Sequence, residues 1–319
     1  MLEKIDLSRK MSKSHYKETM DELEIRLGML QRQIRAQKVP MVIVFEGWDA
    51  AGKGTAINKL MLSLDPRGYR VHSMTPPTEE EQLRPFLWRH WIRTPAVGQI
   101  ALFDRSWYRR VLDDRIGGRI REEERINAYE QITAFERQLA DAGTVICKFF
   151  LHISKKEQKK RFDKLESNAA TSWKVGKDDR RRHRHYNDWV VAIEDMLSRT
   201  DSPIAPWTIV EAHDLRFAVA KIFTTVTTSI ASRLDTLAQT RGDAKKPHEA
   251  MANVAEKTQA ESILDSVKLD KDLSRDQYKR QLNKYQKKIW ELEHEIYTQR
   301  VPVIMVFEGW DAAGKGGAI

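Results

Sequence analysis

The chain has 319 residues, 41% of them hydrophobic, a length for roughly two domains and ample material for a core, which excludes wholesale disorder. No run approaches the roughly 18 apolar residues needed to cross a bilayer, and no apolar stretch of the secretory kind opens the chain, so neither a membrane role nor a signal peptide is expected. The net charge is +9 and Cys147 is the only cysteine; a disulfide framework is excluded, and a cytoplasmic protein with a buried, inert thiol and a polyanionic partner is expected.

Tyr16, Met20, Leu23, Leu27, Leu30 and Ile34 recur at spacings of four and three, which predicts an amphipathic helix packed on its own domain or a neighbouring copy. Met41 to Phe45 form a short apolar run suited to a buried strand. A turn follows, Gly47-Trp48-Asp49-Ala50-Ala51-Gly52-Lys53-Gly54, and Ile57, Leu60 and Met61 then begin a helix. Strand, glycine loop with lysine, then helix is the setting of a phosphate-binding loop. Gly47, Ala50, Ala51, Gly52, Gly54 and Thr55 would offer backbone N–H groups, the helix N-terminus its partial charge, and Lys53 a full one. Gly54 stands where a metal-binding hydroxyl is usual, and Thr55 comes one residue late. Asp49 inside the loop makes sense as a metal ligand or an aid to the attacking group. The plainer alternative is a glycine turn without a ligand.

Asp65 to Gly68 predicts a turn, and Tyr69 to Met74 a second strand. Thr78 with Glu81 reads as a capping box opening a helix whose Phe86, Leu87, Trp88 and Trp91 enter the core. Gln99 to Phe103 predicts a third strand, closed by Asp104. An aspartate at that position is placed to hold Mg²⁺, or else to cap the helix beginning at Ser106. Arg105, Arg109 and Arg110 follow at once, cations suited to a transferring phosphoryl group, with at least one expected at the surface. Ile126, Tyr129, Ile132, Phe135 and Leu139 mark a long helix, and Thr144 to Ile153 a fourth strand. Ser154 with Glu157 reads as a second capping box. Between Lys155 and His185 there are twelve Lys/Arg against five Asp/Glu. That basic stretch reads as a lid, about 154–200, with lysines on a helix and Lys174, Lys177, Arg180, Arg181 and Arg182 around a loop; a solvated helix face is the alternative. Trp207 to Val210 predicts a fifth strand, and Val219, Ile222, Phe223, Val226, Ile230 and Leu234 a final helix. Alternating strands and helices imply an α/β fold on a parallel sheet.

VPMVIVFEGWDAAGKGTAI, beginning at Val39, returns as VPVIMVFEGWDAAGKGGAI at Val301, 262 residues later, and the helical stripe returns as Tyr278, Leu282, Tyr285, Ile289, Leu292 and Ile296. The expected organisation is a domain over 1–237, a linker over 238–262 and the start of a second, homologous domain over 263–319.

GWDAAGKG followed by FDRSWYRRVL, with LDPRGYRVHSMTPPTEEE, KFFLHISKKEQKKRF, AIEDMLSRT and APWTIVEAHD, resembles the polyphosphate kinase 2 family, and within it the tandem-domain polyphosphate:AMP phosphotransferases. The resemblance implies a thymidylate-kinase-like P-loop fold: a three-layer sandwich around a five-stranded parallel sheet, with a basic helical lid. It implies Mg²⁺-dependent phosphoryl transfer between inorganic polyphosphate and a nucleotide, AMP or ADP. By motif, Asp49 and Asp104 would hold the metal, Lys53, Arg105 and Arg110 would bind phosphates with Arg109 beside them, and Lys174, Arg180 and Arg181 would bind the polyphosphate chain. A homo-oligomer, and packing against the second tandem domain, are also expected. Thr55, Asp114, Gly117, Gly176, Arg180 and Leu215 depart from the family's usual residues, where Gly, Glu, Glu or His, Thr, Trp and Lys are expected. An ATP-dependent nucleotide kinase, or a catalytically weak polyphosphate-docking half of a tandem enzyme, stay open as alternatives. No recognised nucleic-acid module accompanies the basic stretch, which argues against RNA.

Overall fold

Five strands, β1 (Met41–Gly47), β2 (Tyr69–Ser73), β3 (Ile100–Asp104), β4 (Val145–His152) and β5 (Trp207–Glu211), form one parallel sheet in the order β2-β3-β1-β4-β5. This is a computed structural model, which describes residues 2–169, 171–243 and 272–310. The chain divides into two units, Met1–Pro247 and His248–Ile319. Met41 to Phe45 in the middle strand have no exposed surface. A strand covered on both faces needs an unbroken apolar run rather than an alternating one, and β1 has it.

The longer helices of the first unit are α1 (Lys13–Ala36), α2 (Lys53–Leu62), α6 (Glu122–Asp141), α7 (Lys155–Glu166), α8 (Lys177–Arg184), α9 (Tyr186–Thr200) and α10 (Leu215–Asp243). Single turns make α3 (Glu79–Gln82), α4 (Trp88–Trp91) and α5 (Asp113–Ile116). The α1 stripe of Met20, Leu23, Leu27, Leu30 and Ile34 is buried, and α1 packs on α10 of its own unit. Leu27 and Ile34 are wholly covered, each burial contributing roughly 1.5–3 kcal/mol. α10 touches α2, β4 and β5, whereas α6 touches β4 and α9, so two helical groups enclose the sheet.

Five local expectations change. The box of Thr78 and Glu81 forms, but its helix lasts one turn, because Pro85 cannot continue the ladder. The aromatic run beyond it is only partly core: Leu87 is buried, Phe86 and Trp88 are half-buried, and Trp91 is 39% exposed. Ser154 Oγ accepts from the Glu157 N–H, but the Glu157 carboxylate turns to Arg161 and the Ser154 N–H donates to His213 Nε2, so the second box is half made. The stretch around Arg180 to Arg182 is helical rather than a loop. Asp178 and Asp179 lie in the first turn of α8, where negative charge is favoured, and the Asp179 carboxylate accepts from the Gly176 N–H at 2.7 Å. Beyond Leu237 the α10 helix continues to Asp243, into the stretch expected as linker.

The second unit contains α11 (Arg275–Gln299), opened by a box of Ser274 with Gln277 and carrying Tyr278, Leu282, Tyr285, Ile289, Leu292 and Ile296. Residues 301–310, the repeat of the strand and of the start of the glycine loop, adopt no regular structure. The repeated glycine loop from Asp311 onward, and the linker from 244 to 262, lie outside the described residues.

Candidate active site

β1 and β3 lie side by side with Phe45 opposite Asp104, so the glycine loop and the arginine-rich turn leave the sheet at the same edge. Ligands of open parallel sheets bind beyond that edge. Gly47 has φ +138°, and a Cβ there would lie 2.5 Å from the Leu151 carbonyl oxygen of β4; only glycine fits. Ala50 and Gly52 also have positive φ, +59° and +102°. The loop thus curls back, and α2 begins at Lys53 with no capping side chain from Gly52, leaving its first N–H groups for an anion. Around Gly54 there is open space, and Thr55 is exposed.

Lys53 folds into the loop, its ammonium donating to the carbonyls of Gly47 at 2.7 Å and Trp48 at 2.9 Å. Burial holds its pKa below the usual lysine value, against the pull of Asp49. Asp49 Oδ1 accepts from Arg105 at 3.1 Å and Oδ2 from Arg182 Nε at 2.5 Å. Burial pushes the Asp49 carboxyl up, but Lys53, Arg182 and Arg105 together outweigh it and hold the group below the usual carboxylate value. Asp104 is half-buried at the strand end and within electrostatic reach of Lys53. It does not cap the next turn; Ser106 does, its Oγ accepting from the Tyr108 N–H.

Arg105 itself has φ +63°, which turns the chain sharply out of β3. In the 3₁₀ turn Trp107–Arg110 the first two side chains are buried and the arginines face outward. Arg109 donates to the Met74 carbonyl at 2.8 Å, and Arg110 pairs with Asp114 at 3.2 Å. All three arginines are half-buried and paired with a carboxylate. Arg109 and Arg110 border a cleft of about 730 Å³ with Glu81, Arg84, Asp114 and Arg181. A second cleft, about 590 Å³, runs past Arg115, His185 and Trp189, and the two share Asp113, Arg119, Arg181 and Arg182.

The cations of the basic stretch separate. Arg182 reaches Asp49, whereas Arg180 pairs with Asp163 and Glu166 of α7. Residues two apart on a helix point about 200° from one another, so these two arginines cannot share a target. Arg181 pairs with Asp178, and the Lys174 ammonium lies over the Trp173 ring. Neither Arg180 nor Lys174 is brought to the glycine loop.

Residues that sequence reasoning did not single out complete the site. Gln158 Nε2 donates to the Asp49 carbonyl and Arg161 to the Ala50 carbonyl, tying α7 to the loop. Trp48 stacks on Tyr186 at 3.9 Å, and its indole N–H donates to His152 Nδ1 at 2.9 Å. Burial lowers the His152 pKa to about 4, which keeps that nitrogen free to accept. Glu46, buried at the end of β1, accepts from Ser106 Oγ at 2.7 Å. Burial raises its pKa to about 7, against the Ser106 bond and Lys53. An acidic residue inside an apolar strand end was its signal.

Between the ordinary glutamate value of 4.5 and about 7 the folded chain holds a proton at Glu46 that the unfolded chain releases, so stability falls as pH rises through that window. Glu46→Gln is expected to flatten this fall, with urea unfolding near pH 5 and near pH 8 as the measurement. An unchanged pH slope would exclude the buried carboxyl as its source.

No group of three or more His, Cys, Asp or Glu side chains is placed to cage a metal among the described residues. Asp49, in the loop after β1, and Asp104, at the end of β3, are two carboxylates at one sheet edge, and Mg²⁺ commonly takes one or two protein carboxylates with phosphate and water oxygens completing its shell. None of the described helices is long and apolar enough to cross a membrane.

The family model for polyphosphate kinase 2 matches residues 10–237 and 272–319. The polyphosphate:AMP phosphotransferase of Pseudomonas aeruginosa is 42% identical over 230 residues, 72% of this chain and 46% of that protein. A GDP-polyphosphate phosphotransferase of Mycolicibacterium smegmatis is 35% identical over 66% of this chain and 74% of its own length. The crystal structure of a putative polyphosphate kinase 2 from Pseudomonas aeruginosa superposes with a TM-score of 0.71 at 41% identity, covering 73% of this chain and 50% of that one. The chain thus spans about half the length of the first of these relatives.

Proposed function

The chain belongs to the polyphosphate kinase 2 family, and from that membership we propose that it transfers a phosphoryl group from inorganic polyphosphate to AMP, giving ADP. The observation that carries this reading is the meeting of Lys53, Asp49, Arg105 and Arg182 at one sheet edge beside two connected basic clefts. An acceptor phosphate oxygen attacks the terminal phosphorus of the donor chain; the anhydride P–O bond breaks and the chain leaves one unit shorter. Such a reaction asks the protein for position and charge rather than covalent chemistry. Lys53 and the start of α2 take the charge of one phosphate group, Arg105, Arg109 and Arg110 that of its neighbours, and Arg182 closes the site from the lid. Mg²⁺ held by Asp49 and Asp104 would supply further neutralisation of the phosphate oxygens. The lid helices exclude water, the competing acceptor.

A slower enzyme is the second reading, favoured by Leu215, whose Cδ1 would lie 3.3 Å from a Cβ on Gly52. An apolar side chain there leaves the loop without a cation at the position where the resemblance led us to expect lysine. Incubation of the chain with polyphosphate, Mg²⁺ and each nucleoside mono- and diphosphate tests both readings. ADP formed from AMP is the expected product. Phosphorylation only when ATP is the donor would replace the proposal with an ordinary nucleotide kinase, and polyphosphate binding without turnover would make this a docking half.

A further inference from the structure

We infer that the buried pair Glu136 and Lys148 is a positioning device for Arg109 and Arg110, an inference that rests on the phosphate-binding role proposed above for those arginines. Lys148 in β4 and Glu136 in α6 have side chains 0% and 1% exposed and lie 2.8 Å apart, Nζ to Oε2. The other carboxylate oxygen, Oε1, accepts from Trp107 Nε1 at 3.0 Å and from the Tyr108 hydroxyl at 2.6 Å. Lys148 spends its remaining protons on the Tyr108 hydroxyl at 2.9 Å and the Thr200 carbonyl at 2.8 Å. Burial, with Glu136 beside it, holds the Tyr108 phenol far above its ordinary pKa, so the hydroxyl keeps the proton it donates.

The geometry makes this more than core filling. Trp107 and Tyr108 are the inner half of the same four-residue turn whose outer half is Arg109 and Arg110. A 3₁₀ turn has three residues per revolution, so Arg109 leaves by the side that Trp107 and Tyr108 do not occupy, and Arg110 stands one turn along from Trp107. Two hydrogen bonds donated by Trp107 and Tyr108 to one carboxylate therefore hold the turn as a unit, and with it the directions in which Arg109 and Arg110 leave it. A shift of about 1 Å in such groups is enough to cost a large factor in rate. A buried ion pair, in contrast, gives little net stability over apolar residues of the same shape. Its worth here is the aim of the cationic turn.

A double-mutant cycle separates aim from stability. Arg110→Ala is made in the native chain and in Glu136→Leu/Lys148→Met, which replaces both charges together and leaves Trp107 Nε1 and the Tyr108 hydroxyl without the carboxylate. In the native chain Arg110→Ala is expected to lower kcat/KM by on the order of a hundredfold. In the altered background the same change should cost less than about tenfold, because Arg110 is already misdirected. Glu136→Gln/Lys148→Met, which keeps one acceptor oxygen, should recover part of the background's own loss. An equal Arg110→Ala factor in both backgrounds overturns the inference while leaving the proposed function standing. No loss from Arg110→Ala in the native chain overturns the assignment of that arginine, and the inference with it. If Glu136→Leu/Lys148→Met does not fold, Tyr108→Phe serves as the second background, and the same comparison of factors decides.

Discussion

Lys53→Ala is expected to lower the turnover of polyphosphate-dependent transfer by at least roughly 10²–10³-fold, about 3–4 kcal/mol of transition-state stabilisation, with the fold retained. The ammonium is held inside the loop by the Gly47 and Trp48 carbonyls, so its position is set before any phosphate arrives, and preorganised charge is what catalysis of this kind uses. The fold should survive because the loop is anchored elsewhere. β1 keeps its ladders to β3 and β4, Gly47 stays pressed on Leu151, and Gln158 and Arg161 still hold the Asp49 and Ala50 carbonyls. Removing an ammonium that burial already disfavours also offsets part of the loss of its two hydrogen bonds. Parallel measurement of turnover and thermal melting checks both halves. Undiminished turnover in a folded Lys53→Ala chain would remove the loop from the active site.

Arg182→Ala should lose on the order of 10²-fold in kcat, whereas Arg180→Ala two residues away should stay within a few-fold. An arginine supplied to a transferring phosphoryl group is worth roughly 10³–10⁵ where it acts alone; Arg105, Arg109 and Arg110 share the task here, which sets the lower figure. Arg182 is the lid residue that reaches the Asp49 carboxylate, and a phosphate or metal arriving at Asp49 would meet it. Arg180 is spent on Asp163 and Glu166, partly exposed pairs between α7 and α8, and such pairs contribute little. Kinetics on the two single variants decide the matter. Equal losses would mean that the lid's charge acts as a diffuse field, and a larger loss from Arg180→Ala would reverse the assignment.

That contrast also shows where the sequence stops speaking. The sheet is legible because Met41 to Phe45, Gln99 to Phe103 and Thr144 to Ile153 are apolar runs bounded by turn residues, and the phosphate loop because its glycines follow such a run. Asp49, Lys53, Asp104 and Arg105 are legible for the same reason: a strand end has one direction. The lid has no such constraint. Three consecutive arginines carry no mark of which one faces inward until it is known that they lie on a helix, and a loop reading gives them no face at all. Gln158 and Arg161 hide in a lysine-rich helix whose composition suggests only solvation. Glu46 is masked by the apolar residues before it, although an ionisable group in a covered strand end needs a partner. Lys148 hides in the same way, since a charge in β4 becomes meaningful only with Glu136 twelve residues upstream. In each case the missing information is a contact between segments distant in the chain.

The ring stack between Trp48 and Tyr186 has a practical consequence. Tyr186 is the first residue of α9, immediately beyond the lid helix that carries Arg182, and its hydroxyl donates to the Ile153 carbonyl. The indole, itself part of the glycine loop, therefore lies face to face with a phenol at the start of α9 and is bonded through its N–H to a neutral imidazole. A displacement of α9 from the loop would change what surrounds that chromophore. Trp48 is one of nine tryptophans, so the difference signal against Trp48→Phe would isolate it as an intrinsic optical gauge of that displacement, readable in stopped flow without an attached dye.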